Sequence, residues 1–181
     1  MLFALLAGTG LRIGEALALR PLHFSPDCTL VKVEKSIWRG IEQSPKTANA
    51  KREVDIAVEL AEFLKRYIAN LAPTAYLFAT ASGRPLNQRN VLRALHACHK
   101  TGLHAFRRFR VEILRQAAVP PDIERLWIGH APATVGDWYA RGIQQNRAWR
   151  SEWCNRVGLG FSLSGLTRLT TAADNELQKA A

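Results

Sequence analysis

The chain opens on an apolar run, Leu2 to Leu6, that Thr9 and Gly10 interrupt. A second short stretch, about Arg12 to Leu19, puts Ile13, Ala16 and Leu17 on one helical face, and Pro21 closes it. From Thr29 to Trp38 the period changes. Leu30, Val31, Val33 and Ile37 are interspersed with polar residues in a segment rich in β-branched side chains, which predicts a strand. Lys51 to Val58 alternates again at Val54 and Ile56, and the turn-rich RGIEQSPKTANA between the two suits a short middle strand and two loops. Leu60, Phe63, Leu64 and Ile68 then recur at helical spacing until Pro73, and the apolar AYLFAT leads to the turn SGRP. Further helices are expected at about Asn87 to His99, His104 to Ala117, Pro121 to Ile128, Thr134 to Ala140 and Asn146 to Val157, with Pro120 and Pro121 opening the third of these.

There is no internal repeat, low-complexity stretch or interdomain linker. The pattern predicts an α+β chain: a mainly helical single domain with a small antiparallel sheet of about three strands. Near the end, Val157, Leu159, Phe161 and Leu163 alternate with Gly158, Gly160, Ser162 and Ser164. That period of two predicts a short strand docked on a sheet edge or in an apolar groove, against the alternative of a disordered tail.

Composition narrows the class. The length of 181 residues and an apolar fraction of 48% exclude a disordered chain and allow one domain with a real core. Lys and Arg number 25 against 15 Asp and Glu, a net charge of +10, which favours a polyanionic partner: nucleic acid or an anionic membrane surface. Cys28, Cys98 and Cys154 are odd in number and irregularly spaced, as in a reduced cytoplasmic protein. The run MLFALLA is far shorter than the roughly 20 residues of a membrane span and lacks a preceding basic region, so it reads as a core helix.

Candidate chemistry sits at four places. Arg12 and Glu15, three apart on a helix, share a face, and an arginine fork can bind two phosphate oxygens in one plane. Taken alone the pair is a surface ion pair; the preceding TG and the following apolar run place it instead at a tight turn into a buried helix. Lys46, in SPKT, sits on a turn from which an ammonium could protonate a departing oxygen, with Lys35 and Lys51 as competitors nearby. His104 and Arg107 form an H-x-x-R step, and Arg108 also faces that side. Tyr139 lies nine residues after His130, in a position that locally reads as packing beside Trp138. His96, Cys98 and His99 lack the further ligands that a metal site needs.

In order, TGLRIGEALALR, the KT of SPKT, HAFRRFR and the GH…Y segment resemble the catalytic domain of the tyrosine recombinases, or phage integrases. Each motif alone is weak; the ordered set, with its nine-residue GH-to-Tyr interval, is specific. The resemblance implies a domain over residues 1–158 and a C-terminal tail over 159–181. It implies that Arg12 and Arg107 clamp a scissile phosphate and that Lys46 protonates the departing 5′ oxygen. His104 would assist proton transfer, His130 would hydrogen-bond the phosphate, and Tyr139 would form a covalent 3′-phosphotyrosine, with no cofactor or metal. Glu15 would support the site, and Arg108 and Lys51 would contact DNA. The implied partners are double-stranded DNA and further copies of the chain, a monomer when free and a tetramer on DNA, with no membrane.

The chain departs from the family pattern at three points. Arg108 stands where a histidine often follows the H-x-x-R step, KTGL leaves a short approach to His104, and the sequence begins almost on the TGLR motif. The last point predicts an absent N-terminal core-binding domain, whether through a gene remnant, a misassigned start or trimming. Two other readings share the same residues: a DNA-binding remnant without catalysis, and a type IB topoisomerase-like strand breaker.

Overall fold

A computed structural model describes residues 1–44, 51–130, 142 and 145–164. Among these residues are seven α-helices, one 3₁₀ turn and four short strands. Helix α1, Leu2–Thr9, is apolar on every side and is buried from Ala4 onward. It ends at Gly10, whose left-handed backbone (φ 70) turns the chain into α2, Ile13–Leu17. The 3₁₀ turn Pro21–His23 follows.

The expected strand from Thr29 to Trp38 is two strands serving different partners. β1, Leu30–Val33, pairs antiparallel with β4, Arg52–Asp55, while β2, Ser36–Trp38, turns back through Arg39 and Gly40 to pair with β3, Ile41–Gln43. Both turn residues have positive φ, 52 and 80, as a two-residue hairpin connection requires. The sheet is therefore two antiparallel pairs. The β2–β3 hairpin abuts α2 at Gly14, where an added Cβ would come within 2.6 Å of the Ser36 hydroxyl and 2.7 Å of the Ile37 carbonyl oxygen.

Helices α3, Val58–Ile68, α4, Gln88–Cys98, α5, His104–Gln116, and α6, Pro121–Ile128, follow the expected boundaries closely, as does α7, Arg147–Val157. The core runs through Leu5, Leu6, Leu17, Val31, Leu60, Leu64, Leu114, Ile123 and Trp127. Burying such side chains contributes roughly 1.5–3 kcal/mol each before entropy is counted. The inward stripe of α5 is unusual: its buried residues are Arg107, Arg110 and Leu114.

The tail segment forms no strand. Gly158 and Gly160 both have positive φ, and the turns they make send Leu159 and Leu163 into the core. Leu159 lies against Gly8 of α1, Gly160 lies against Ile113 of α5, and the Phe161 ring meets Phe109 at 6.2 Å. The core thus continues past residue 158 to Leu163, docked in a groove of its own chain between α1 and α5. No helix of the described residues is long and apolar enough to cross a membrane.

Candidate phosphate-binding cleft

Two helix ends meet at Arg107. The carbonyls of a helix C-terminus lack intrahelical donors and carry the negative end of the helix dipole. Arg107 Nη1 donates to the carbonyl of Gly10, just past α1 (2.9 Å), and Nη2 donates to the carbonyl of Ile128, the last residue of α6 (2.5 Å). Gly10 permits this contact twice over, through its left-handed φ and because a Cβ there would strike Ile128 at 2.7 Å. Arg107 is consequently buried, and its pKa falls to about 10, first through burial and then through the charges of Arg12 and Arg52, with Glu15 opposing. It still carries its charge at neutral pH.

Arg12 caps the start of α2. Its backbone N–H donates to Glu15 Oε2 (2.9 Å) and its Nη1 to Glu15 Oε1 (3.0 Å). The sequence placed Arg12 as the charge entering a buried helix. In the fold its side chain is half exposed, at 46%, and Glu15 is the buried member of the pair. Burial would raise the Glu15 carboxyl. Hydrogen bonds and charge from Arg52, together with the amide and charge of Arg12, outweigh it and hold the group below its ordinary value.

Arg52, the first residue of β4, is the buried neighbour of this cluster that sequence reasoning missed. It donates Nη1 and Nη2 to the two oxygens of Glu15, each at 3.0 Å, and Nε to the Trp127 carbonyl at 2.9 Å. Behind it the chain of buried polar contacts continues. Trp127 Nε1 donates to Asp55 Oδ2 (2.7 Å), which also accepts from Arg150 Nε (2.8 Å).

In front of this network the surface opens into adjoining clefts that share His104 and Arg107. One, of about 340 Å³, is lined by Arg12, Gly14, Ser36, Trp38, Gln88, His104 and Arg107 among others. The second, of about 390 Å³, is lined by His104, Arg107, Arg108, Arg115 and His130 among others. His104, Arg108 and His130 are exposed at these walls. The His130 pKa is lowered, first by partial burial and then by the charges of Arg107 and Arg12, so its ring is neutral at pH 7 and can donate one N–H.

Arg12, His104, Arg107, Arg108 and His130 therefore come together, with Glu15 directly behind Arg12. Lys51 is exposed just before β4 and lines neither cleft. Lys46 and Tyr139 lie outside the described residues. Among the described residues no three His, Cys, Asp or Glu groups converge in a way that could hold a metal ion. The arrangement is a polar depression with the guanidiniums of Arg12, Arg107, Arg108 and Arg115 and the imidazoles of His104 and His130 on its walls, suited to a tetrahedral oxyanion.

A family model described as phage integrase family matches residues 1–144. Among solved structures, the fold is similar to the Tn1549 transposon integrase in complex with a circular intermediate DNA. That match has a TM-score of 0.59 and 21% identity, and covers 78% of this chain and 57% of that one. The same integrase in complex with transposon right end DNA gives 0.59 and 20%, covering 79% and 57%. The integrase from mycobacterium phage Brujita gives 0.59 and 18%, covering 89% and 52%. At these identities the likeness establishes the fold, and the chain spans little more than half the length of those structures. Comparison with curated proteins found no match.

Proposed function

The chain belongs to the phage integrase family, and from that premise we propose that it is the catalytic part of a site-specific recombinase that cuts and rejoins double-stranded DNA through a 3′-phosphotyrosine. The observation that carries this reading is the convergence of Arg12, His104, Arg107 and His130 on two adjoining clefts, joined at His104 and Arg107, from three separated stretches of chain. The solved integrases of similar fold are described in complex with DNA, which supports DNA as the substrate.

In this mechanism the scissile phosphate lies between Arg12 and Arg107, whose remaining N–H groups bind its non-bridging oxygens. The neutral His130 donates a further hydrogen bond to one of them. The Tyr139 oxygen forms a bond to phosphorus as the bond to the 5′ oxygen breaks. That oxygen takes a proton from Lys46, and the phenol gives up its proton with assistance from His104. Rejoining runs the same steps backward from a 5′ hydroxyl. The bond energy stays in the phosphotyrosine, so the cycle calls for no nucleotide and no metal. Arg108 and Lys51 contribute backbone contacts outside the reacting group, and the working assembly on DNA is a tetramer.

A nicked suicide duplex that traps the cleaved state tests this. The expected result is a covalent protein–DNA adduct on a denaturing gel, formed in the presence of chelator and abolished by Tyr139→Phe. Binding without an adduct would assign a DNA-binding remnant, and relaxation of supercoiled DNA without a specific site would assign a topoisomerase-like activity.

A further inference from the structure

We infer that Arg52 is a positioning residue that sets the separation of Arg12 and His130 across the two adjoining clefts, an inference that rests on the phosphodiester reading above. Arg52 does not itself line the cleft: its side chain is 1% exposed, behind the wall. What it touches lies next to both residues: Glu15, which holds Arg12, and Trp127 and Gly129, which lead into His130.

On one side its two terminal nitrogens take both oxygens of Glu15 at 3.0 Å. The same carboxylate receives the Arg12 amide at 2.9 Å and the Arg12 guanidinium at 3.0 Å. Glu15 is thus a joint between a buried arginine and a half-exposed one. On the other side Arg52 Nε holds the Trp127 carbonyl at 2.9 Å, and the guanidinium lies flat against Gly129. A Cβ at Gly129 would come within 2.7 Å of Arg52 Cζ, and Gly129 also has a left-handed φ of 73. The next residue is His130.

One rigid, planar group therefore bears on the segment that carries Arg12 and on the segment that carries His130. A guanidinium holds three acceptors in one plane at fixed angles; an ammonium at the same place is a point charge on a flexible stem and cannot do so. A phosphate that must meet both Arg12 and His130 is sensitive to their spacing, because misplacement of about 1 Å can cost about a hundredfold in rate.

A purely architectural role would alter stability alone, so the test reads position. Arg52→Lys keeps the charge and loses the fork, while Gly129→Ala presses on the same guanidinium from the other side and carries the same readouts if Arg52→Lys does not fold. Each folded variant is compared with the wild type by single-turnover adduct formation on the suicide duplex, by duplex Kd, and by NMR titration of the His130 ring. The expected result is a cleavage rate down by about a hundredfold, Kd unchanged, and a His130 titration moved up toward the ordinary histidine range as the ring becomes less buried and leaves the arginines. A folded variant that cleaves at the wild-type rate with an unmoved His130 titration overturns the inference. If the wild-type chain forms no adduct, the cleavage reading fails by itself. The His130 titration then decides the positioning: a raised value in the variant supports it, and an unchanged one overturns it.

Discussion

Replacing Arg107 with alanine should injure the protein in two ways that can be measured apart. Its guanidinium is the donor for two buried carbonyls, Gly10 at 2.9 Å and Ile128 at 2.5 Å. Leaving a buried carbonyl without its donor costs about 1–3 kcal/mol, so the pair costs about 2–6 kcal/mol. Removing a buried cation that lies near Arg12 relieves some repulsion and pulls the net toward the lower end. Against a total stability of about 5–15 kcal/mol this is severe. At roughly 2–4 °C per kcal/mol the melting point should fall by about 4–24 °C.

Arg108 is the internal control. It is the next residue on the same helix, lines the same cleft and is exposed, so Arg108→Ala should alter stability by less than about 0.5 kcal/mol. The chemistry should separate the same way. Arg107→Ala abolishes adduct formation even at temperatures where it is folded, whereas Arg108→Ala cleaves but binds DNA more weakly, with a shallower dependence on salt. Arg107→Lys is the sharper variant. Lysine begins lower on the pH scale than arginine, and the burial and the Arg12 charge that lower Arg107 would lower it too. Its residual cleavage should fade as pH rises through the mildly alkaline range, where the wild type holds its charge. An Arg107→Ala protein that melts like the wild type refutes the double-carbonyl argument, and equal loss of cleavage in Arg107→Ala and Arg108→Ala refutes the division of labour.

Two further outcomes follow from buried groups. Glu15→Gln removes the carboxylate charge held by both terminal nitrogens of Arg52, a side chain 1% exposed, and should cost about 3–5 kcal/mol at neutral pH. Because the folded-state pKa of Glu15 is depressed, its contribution is present above the ordinary carboxylate value of about 4.3 and lost as pH falls through the folded value. The melting gap between wild type and variant should therefore close only in acid, and a gap that widens in acid contradicts the argument. Leu159→Ala removes a side chain 2% exposed and packed on Gly8, and should cost about 2–5 kcal/mol in a urea titration; a cost near zero would mean the segment after α7 is not part of the core.

The helices were legible because two signals agreed at their ends. Asn87 and Asn146 accept from the amides of Arg89 (2.8 Å) and Trp149 (3.1 Å), and the apolar period starts just after each cap. The expected docking of Leu159 to Leu163 in a groove is present, but its strand conformation is not, because alternation has more than one solution. Left-handed glycines at 158 and 160 also bring every second apolar residue inward, with turns in place of a ladder. The strand from Thr29 to Trp38 was misread as one unit because its hydrophobic pattern does not say where pairing changes partner. Glu34 and Lys35 separate a strand that pairs with β4 from one that folds back on β3.

At the site, the exposed and the buried cations obeyed different rules. Motif order singled out Arg12, His104, Arg107 and His130 and separated Arg107 from Arg108. Periodicity agrees: positions 107, 110 and 114 form one stripe of α5, and 108 lies off it. The same arithmetic reaches Arg52. Val54 and Ile56 mark the inward face of the strand, and Arg52 is two residues before Val54, so it points inward with them. A cation on an inward face needs an anion, since burying it alone is prohibitive. The chain supplies one in Glu15, which lies beside Ala16 and Leu17 on the buried helix α2. Charges that follow the hydrophobic period are not solvent-facing, and here they form the wall behind the cations that line the clefts. Lys51, the adjacent charge, is exposed just before the same strand, on the outward side from Arg52.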